Sequence, residues 1–344
     1  MRKEGEHMNR NRTVSMQDVA KVAGVSPQTV SRVANGSTAV RPETRRRVEH
    51  AMDELGYRPN YAARALKHGR FNDIGVVMFS LYDYGDSRIL DGIVAAAVDE
   101  GYAVTVHTMG VDKERTLQAA VSRMEQLPVD GIIVILQQDV PDFMSFVPPK
   151  ELPVVLVCED ASQSCPTIDA DQYGCSTTVV DYLLGQGHRT VHHIAGPSHS
   201  RAARSRMQGW RDELERHGIH APEAQIGDWG ADSGYRAGLE LAQNPECTAI
   251  YAANDQMAYG AMLGLQDGGR RVPEDVSIVG VDDSLRSIVP RLDLTTMRMH
   301  FDVIGRQAFT MLRRQCEGEH VQTGVKTVIP ATLIERGSAK PFIA

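Results

Sequence analysis

The stretch "SMQDVAKVAGVSPQTVSRVANG", residues 15–36, changes pattern partway along. Val19, Ala20, Val22 and Ala23 recur at helical spacing behind Ser15, and Asp18 stands three residues after that serine, the spacing of a capping box. Gly24 can supply the left-handed backbone that ends a helix, and Val25 is placed to fold back onto the core. Ser26 and Pro27 then restart a helix: a hydroxyl caps the first amides, and proline sits where no N–H is missed. Val30 and Val33 continue the inward face, while Gln28 and Arg32, four apart, share the opposite one. Two short helices joined so tightly form either a helix-turn-helix or an ordinary helical hairpin.

The exposed face suits base edges. Gln pairs with adenine and Arg with guanine in the major groove, while hydroxyls such as Thr29 and Ser31 can take phosphates. A third helix follows in "RPETRRRVEHAMDELGY", with Val48, Met52 and Leu55 closing a small core. After Gly56, the segment "YRPNYAARALKHGR" is weakly helical and basic, too short to hold a helix alone. Within it Leu66 beside Lys67 either packs on the next domain or acts as a minor-groove wedge, the apolar group opening a base step and the cation holding phosphate.

Charge supports the polyanion reading. Residues 1–70 carry 14 Lys/Arg against 7 Asp/Glu, a net of +7, whereas the remainder is −14 in a chain of −7 overall. A basic head on an acidic body is an electrostatic footprint confined to one end. At 344 residues the chain suits two or three domains, and 42% hydrophobic with 24% charged residues is the composition of a soluble globular protein. No apolar run is long enough for a bilayer, and "MRKEGEHMNRNR" lacks the apolar stretch of a signal peptide, so a cytoplasmic protein without membrane association is expected. The five cysteines form no Cys-x-x-Cys pair, and His192 and His193 should face opposite sides of a strand. Reduced structural thiols and no metal are expected.

From residue 73 the rhythm becomes strand and helix in alternation. "DIGVVMF", "YAVTVHTM" and "VDGIIVIL" read as strands between the helices "SRILDGIVAAAVDEG" and "KERTLQAAVSRMEQL". A second series runs from "TTVVDYLLGQGH" and "TVHHIAG" through "RMQGWRDELERHG", "AQIGDW", "SGYRAGLELAQN", "AIYAAND" and "QMAYGAMLGLQDGG" to "VSIVGVDD". Two doubly wound lobes with parallel sheets follow, with a cleft where strand ends from both meet. An aromatic plane suits the C–H face of a sugar there, and Arg, Asn and Asp suit its hydroxyls. Trp210 reads as core rather than site. Asp255 reads as the cap of a helix starting at Gln256, and one of Asp282 and Asp283 as structural.

"MQDVAKVAGVSPQTVSRVANG", "VRPETRRRVEHAMDELGYRPN" and "AARALK", in this order and spacing, resemble the headpiece and hinge of the LacI family of bacterial repressors. "IAGP", "RMQGW", "IGDWGADSGY", "AANDQMAYGAM" and "VGVDDS" resemble its periplasmic-binding-protein-like core, so the likeness runs from about residue 15 to the end. It implies a small all-α helix-turn-helix DNA-binding domain at 15–58, a hinge helix and linker at 59–72, and a two-lobed α/β effector-binding and dimerisation domain at 73–344. The N-lobe would span about 73–172 plus 301–329 and the C-lobe about 173–300 plus 330–340, with a disordered tail at 1–14. A homodimer would read a near-palindromic operator through Ser26, Pro27, Gln28, Thr29, Ser31, Arg32 and Asn35, with Asn60, Arg64, Leu66 and Lys67 at the hinge. Pro27, Gln28 and Arg32 would be the reading residues, although a proline there donates no hydrogen bond.

In the cleft, the resemblance assigns effector contacts to Arg206, Asn254 and Asp282, with Trp229 as the stacking aromatic. Glu159 would be the acidic contact of the other lobe, shifted by about one residue. The segment "SLYDYGDSRIL" departs from the sugar-responsive branch by placing Asp83 and Tyr84 on the wall, and Ile135 replaces a polar strand-end residue. The function implied is a repressor of carbohydrate-utilisation genes released by a small sugar, a β-galactoside or related oligosaccharide, and nucleoid-associated when on its operator. Two alternatives are a corepressor-dependent regulator of the same family and a solute-binding protein, the second opposed by the basic headpiece. An enzyme is not expected: "GDWGADSG" lacks both G-x-G-x-x-G and the P-loop Lys, no nucleophile is paired with a base, and no cofactor is implied. The end "TLIERGSAKPFIA" carries no leucine heptad, which favours a dimer over a tetramer, and Met8 offers an alternative start.

Overall fold

The computed structural model of the protein describes residues 14–34, 37–58, 69–109 and 116–342. Asn35 and the hinge residues Asn60, Arg64, Leu66 and Lys67 lie outside the described residues, as does the tail before Val14. The chain divides into two compact units, one ending at Phe71 and the other starting at Asn72.

In the first unit three helices, α1 (Met16–Ala23), α2 (Pro27–Ala34) and α3 (Pro42–Leu55), share a core of Val19, Ala20, Ala23, Val30, Val33, Val48 and Ala51. The capping box forms: Asp18 N–H donates to Ser15 Oγ at 3.3 Å and Ser15 N–H to Asp18 Oδ2 at 2.9 Å. Gly24 takes φ 62°, and Val25 N–H closes onto the Ala20 carbonyl at 3.0 Å, folding Val25 against the core. Val22 departs from the expected pattern at 52% exposure. On a helix of eight residues the inward stripe is narrow, and Val19 and Ala23 already fill it.

The second unit holds two six-stranded sheets. The first is ordered β2 (Ala103–Thr108), β1 (Asp73–Met78), β3 (Gly131–Ile135), β4 (Val154–Val157), β5 (Thr167–Ala170) and β11 (Lys326–Ile329), all parallel. The second is ordered β7 (Gln225–Ile226), β6 (His192–Ala195), β8 (Ala249–Ala252), β9 (Ser277–Val281), β10 (Thr295–Arg298) and β12 (Thr332–Ile334). It is parallel except where β12 runs against β10. The strands β3, β4, β8 and β9 are buried throughout, as covering helices on both faces require. These helices are α4 (Tyr84–Asp99), α5 (Leu117–Glu125), α6 (Gln172–Gly185), α7 (Arg201–Arg216), α8 (Ala231–Ala242), α9 (Asp255–Asp267) and α10 (Phe301–Cys316).

The chain passes between the lobes after β5, after β10 and between β11 and β12. The second passage sends α10 back against α4 and the first sheet, burying Phe301, Ile304, Ala308, Phe309 and Leu312. Ile135 ends its strand fully buried in the same core. In the second lobe Trp210 is fully buried and its indole N–H donates to the Val191 carbonyl at 2.9 Å. His193 stacks on Tyr251 with ring centroids 4.5 Å apart, and His192, on the other face of β6, meets Asn244. Cys158, Cys165, Cys175 and Cys247 are buried thiols.

The crossing of α4 and α10 rests on two glycines. A Cβ on Gly305 would strike the Ile89 carbonyl and lie 2.7 Å from Ile93 N, and one on Gly92 would strike the Asp302 backbone. No side chain can swing aside there, because the obstacles are main chain. Gly305→Ala should therefore destabilise the second unit by about 1–3 kcal/mol in urea unfolding. An unchanged midpoint would mean that the helices separate at no cost.

Candidate functional site

Helix α2 presents Pro27, Gln28 and Arg32 to solvent, with Ser26 exposed just before it and Thr29 and Ser31 half-buried. Ser26 Oγ accepts from Thr29 N–H at 3.2 Å and meets Thr29 Oγ1 at 3.0 Å, so these hydroxyls start the helix as well as lie on its face. Gln28 and Arg32 extend from backbone that the Val30 and Val33 packing holds in place.

In the second unit a cavity of about 470 Å³ opens at the carboxyl ends of the parallel strands of both sheets. Tyr82 to Asp86 line it after β1, Gln137 and Gln138 after β3, His199 and Ser200 after β6, Trp229 after β7, Asn254 after β8 and Asp282 after β9. Arg206 on α7 lines it and is 4% exposed. Arg206 Nε donates to Gln172 Oε1 at 2.8 Å, Nη1 donates to the Ala253 carbonyl, and Nη2 stands 3.7 Å from Asp282 Oδ1. Its Cζ lies 5.8 Å from the centre of the Trp229 ring. Burial raises the Asp282 carboxyl above its ordinary value, and Arg206 opposes that shift.

Three backbone features hold this wall. Asn254 caps α9, its Oδ1 accepting from Met257 N–H at 2.9 Å while its Nδ2 donates to the Trp229 carbonyl at 2.9 Å. That second bond helps secure Trp229 at φ 72°, where a bulky residue is strained, and the indole lies flat over Gly196. Asp282 at φ 106° and Asp283 at φ 53° divide their work. Asp283 accepts from Arg298 at 2.6 Å and Arg336 at 2.6 Å, away from the cleft, whereas Asp282 faces it.

Asp255 is not the helix cap. It begins α9 one residue inside, and Asn254, already placed in the cleft by the sequence, performs the capping. Buried, Asp255 accepts from Thr296 Oγ1 at 2.6 Å and Ser284 N–H at 2.7 Å, tying the ends of β9 and β10 together. Glu159 also departs from expectation, since it does not line the cavity. Its carboxylate is taken by Ser205 Oγ at 2.9 Å and Lys326 Nζ at 3.1 Å, a link between the lobes. Arg201 on α7 adds further links across the gap, pairing with Asp160 and, at 3.1 Å, with Asp139.

Asp83 and Tyr84 line the cleft as expected from their place after β1, with the Tyr84 ring edge-on to Phe301 at 6.2 Å. The sequence reading passed over Asp86, Gln137, Gln138, His199 and Phe301, which line it too. Gln137 and Gln138 carried a usable signal, since they directly follow the carboxyl end of a buried strand. For a metal, the one described group is Asp181, Glu213 and His217, whose ligand atoms lie within 4.8 Å of one another. The Arg216 guanidinium already pairs with both carboxylates there, which disfavours a second cation.

A helix-turn-helix unit followed by two lobes around a polar cleft defines a ligand-responsive DNA-binding regulator. Residues 15–60 match the family model for bacterial regulatory proteins of the lacI family, and residues 180–339 match that for periplasmic binding protein-like domains. The chain is 33% identical to the lactose operon repressor of Escherichia coli K12 over 327 residues, 94% of this chain and 90% of that protein. It superposes on a lac repressor dimer bound to operator and the anti-inducer ONPF with TM-score 0.82 at 32% identity, covering 96% of this chain and 100% of that one. A complex of the transcriptional regulator CelR with cellobiose matches at TM-score 0.67 and 30% identity, covering 95% and 100%. The chain belongs to the lacI family of bacterial regulatory proteins and is a DNA-binding transcriptional repressor; these relatives are regulators, not enzymes.

Burial, then the nearby Asp282 and Asp283 charges, raises Asp255 from 3.8 to about 7, and Asp169 is raised to about 6 mainly by burial. The folded chain therefore keeps protons that the unfolded chain gives up near pH 4, and stability is lost as pH rises from there through about 7. Each group contributes a slope of up to about 1.4 kcal/mol per pH unit. Buried His188, His192 and His193, held below their ordinary values, work in the opposite direction up to about pH 6.5, so the Asp255 share is read by comparison. In denaturation series between pH 5 and 8, the stability of Asp255→Asn, which keeps the shape and an acceptor for Ser284, should rise relative to that of the unaltered protein as pH increases to about 7. Identical profiles for both proteins would contradict this account.

Proposed function

We propose that the chain acts as a homodimer on a near-palindromic operator and that a small saccharide in the inter-lobe cleft acts as its inducer. The observation that carries the reading is the Arg206, Asn254 and Asp282 arrangement beside the Trp229 ring. A pyranose needs both parts: an aromatic face against its C–H surface, and fixed donors and acceptors around its hydroxyl rim. The cavity volume falls in the range of small-molecule sites. The relatives point the same way, one solved with cellobiose and another with ONPF described as an anti-inducer. A β-linked disaccharide, a β-galactoside or a relative of it, is the effector class.

Gln28 and Arg32 on α2 read bases in the major groove, Ser26, Thr29 and Ser31 meet phosphates, and the segment containing Asn60, Arg64, Leu66 and Lys67 enters the minor groove. Saccharide binding shifts the lobe equilibrium toward a form with lower operator affinity. The protein works in the cytoplasm, on the nucleoid when bound, and catalyses nothing. Selection from random duplexes at fixed salt, followed by a saccharide panel, tests the whole reading. A palindrome should be enriched and released by one sugar, with Arg32→Ala weakening binding by about 1–3 kcal/mol and relaxing one position. No enrichment would overturn the operator reading, and a sugar that tightens binding would reassign the effector as a corepressor.

A further inference from the structure

At the first-lobe end of the cleft two carboxyl groups, Asp83 and Asp86, form no ion pair among the described residues. Asp86, in the first turn of α4, is 3% exposed, lines the cavity, and has no hydrogen-bond partner for Oδ2. Burial raises its carboxyl well above the ordinary value, and the nearby Asp83 and Asp169 carboxylates push it the same way. Asp83 stands one turn earlier at the rim, with only His199 acting to lower it. Arg206, the buried guanidinium of the cleft, is committed to Gln172, the Ala253 carbonyl and Asp282. The α4 N-terminus contributes a partial positive charge, which falls short of two carboxylates.

Leaving an acidic group buried and unpartnered is costly, and such groups in native proteins are held by a counter-charge or a ligand. A neutral hydroxyl could meet one oxygen and would leave Asp86 protonated, whereas a cation lets Asp86 ionise and pairs with Asp83 as well. Both acids are then partnered at once. The surrounding rings favour the same guest: Tyr84 and Phe301 stand beside the acids, and a Cβ on Gly85 would come to 3.1 Å from the Phe301 ring, so the cavity side of this wall is aromatic and acidic.

We propose that this end of the cleft is a subsite for a protonated amine, so that the effector is an amine-bearing saccharide rather than a neutral one. The inference rests on the reading of the cleft as a saccharide site and adds a charge requirement to it. Asp86 accepts from the ammonium, Asp83 contributes from the rim, and the sugar ring reaches from there to Trp229 and Arg206.

The test uses the full-length protein and calorimetry at one salt concentration near neutral pH. The probes are cellobiose, its 2-amino and 6-amino analogues, and the N-acetylated form of the 2-amino analogue. At least one amine should bind about ten-fold or more tightly than cellobiose, and acetylation should remove the advantage. Asp86→Asn, a neutral isostere whose fold is checked by its unfolding midpoint, should bring the amine-to-hydroxyl affinity ratio within about two-fold. Asp83→Asn at the exposed rim should lower the same ratio by a few-fold. Amines bound no better than cellobiose, or a preference that survives Asp86→Asn, would overturn the amine subsite while leaving the saccharide reading intact. Binding of none of the four would overturn both.

Discussion

The buried guanidinium of Arg206 is the interaction on which the cleft depends. From α7 it reaches α6 through Gln172, the end of β8 through the Ala253 carbonyl, and the end of β9 through Asp282. Two ions withdrawn from water are costly, and their attraction offsets that cost only when the remaining donors are also satisfied. Gln172 and Ala253 meet that condition for Arg206, while Asp282 Oδ1 faces its Nη2 at 3.7 Å without a hydrogen bond. The wall is therefore assembled before any ligand arrives. The strained Trp229, secured by Asn254, extends the same preorganisation to the aromatic face.

The lobes themselves are joined by a separate set of contacts at the edge of the gap. Arg201 pairs with Asp139 and Asp160, Arg204 donates to Asp139 at 2.9 Å, and Glu159 bridges Ser205 and Lys326. Asp139, Asp160 and Arg204 are exposed, so the links they make are individually weak and responsive to solvent. A cleft with firm walls and a modest latch is suited to a lobe equilibrium that a ligand can move by a few kcal/mol.

Much of this was legible in the sequence, for reasons that are local. Ser15 with Asp18, Gly24, and Ser26 with Pro27 each act within one turn of chain, and each forms the predicted cap or stop. Strands such as residues 131–135 were readable because burial on both faces leaves an unbroken apolar run. Arg206, Trp229, Asn254 and Asp282 were singled out and do converge on the cavity. What escaped depends on tertiary neighbours. Val22 has the right spacing but no partner surface, and Glu159 has the right chemistry but is consumed by Lys326, more than a hundred residues further along the chain. Asn254 takes the capping role expected of Asp255 because a one-residue shift in the helix start decides which of them caps. Asp86 gave no sign at all, since an acidic residue in the first turn of a helix is ordinary until its neighbours are known.

The central claim is that cleft and operator are coupled, and coupling between binding sites is reciprocal. The most direct measurement is the affinity of the effector for the free protein and for operator-saturated protein, at one salt concentration, beside the operator affinity with and without effector. The account predicts that operator weakens effector binding by the same factor by which effector weakens operator binding, about 5- to 150-fold. Equal effector affinities for the free and the operator-bound protein would contradict it.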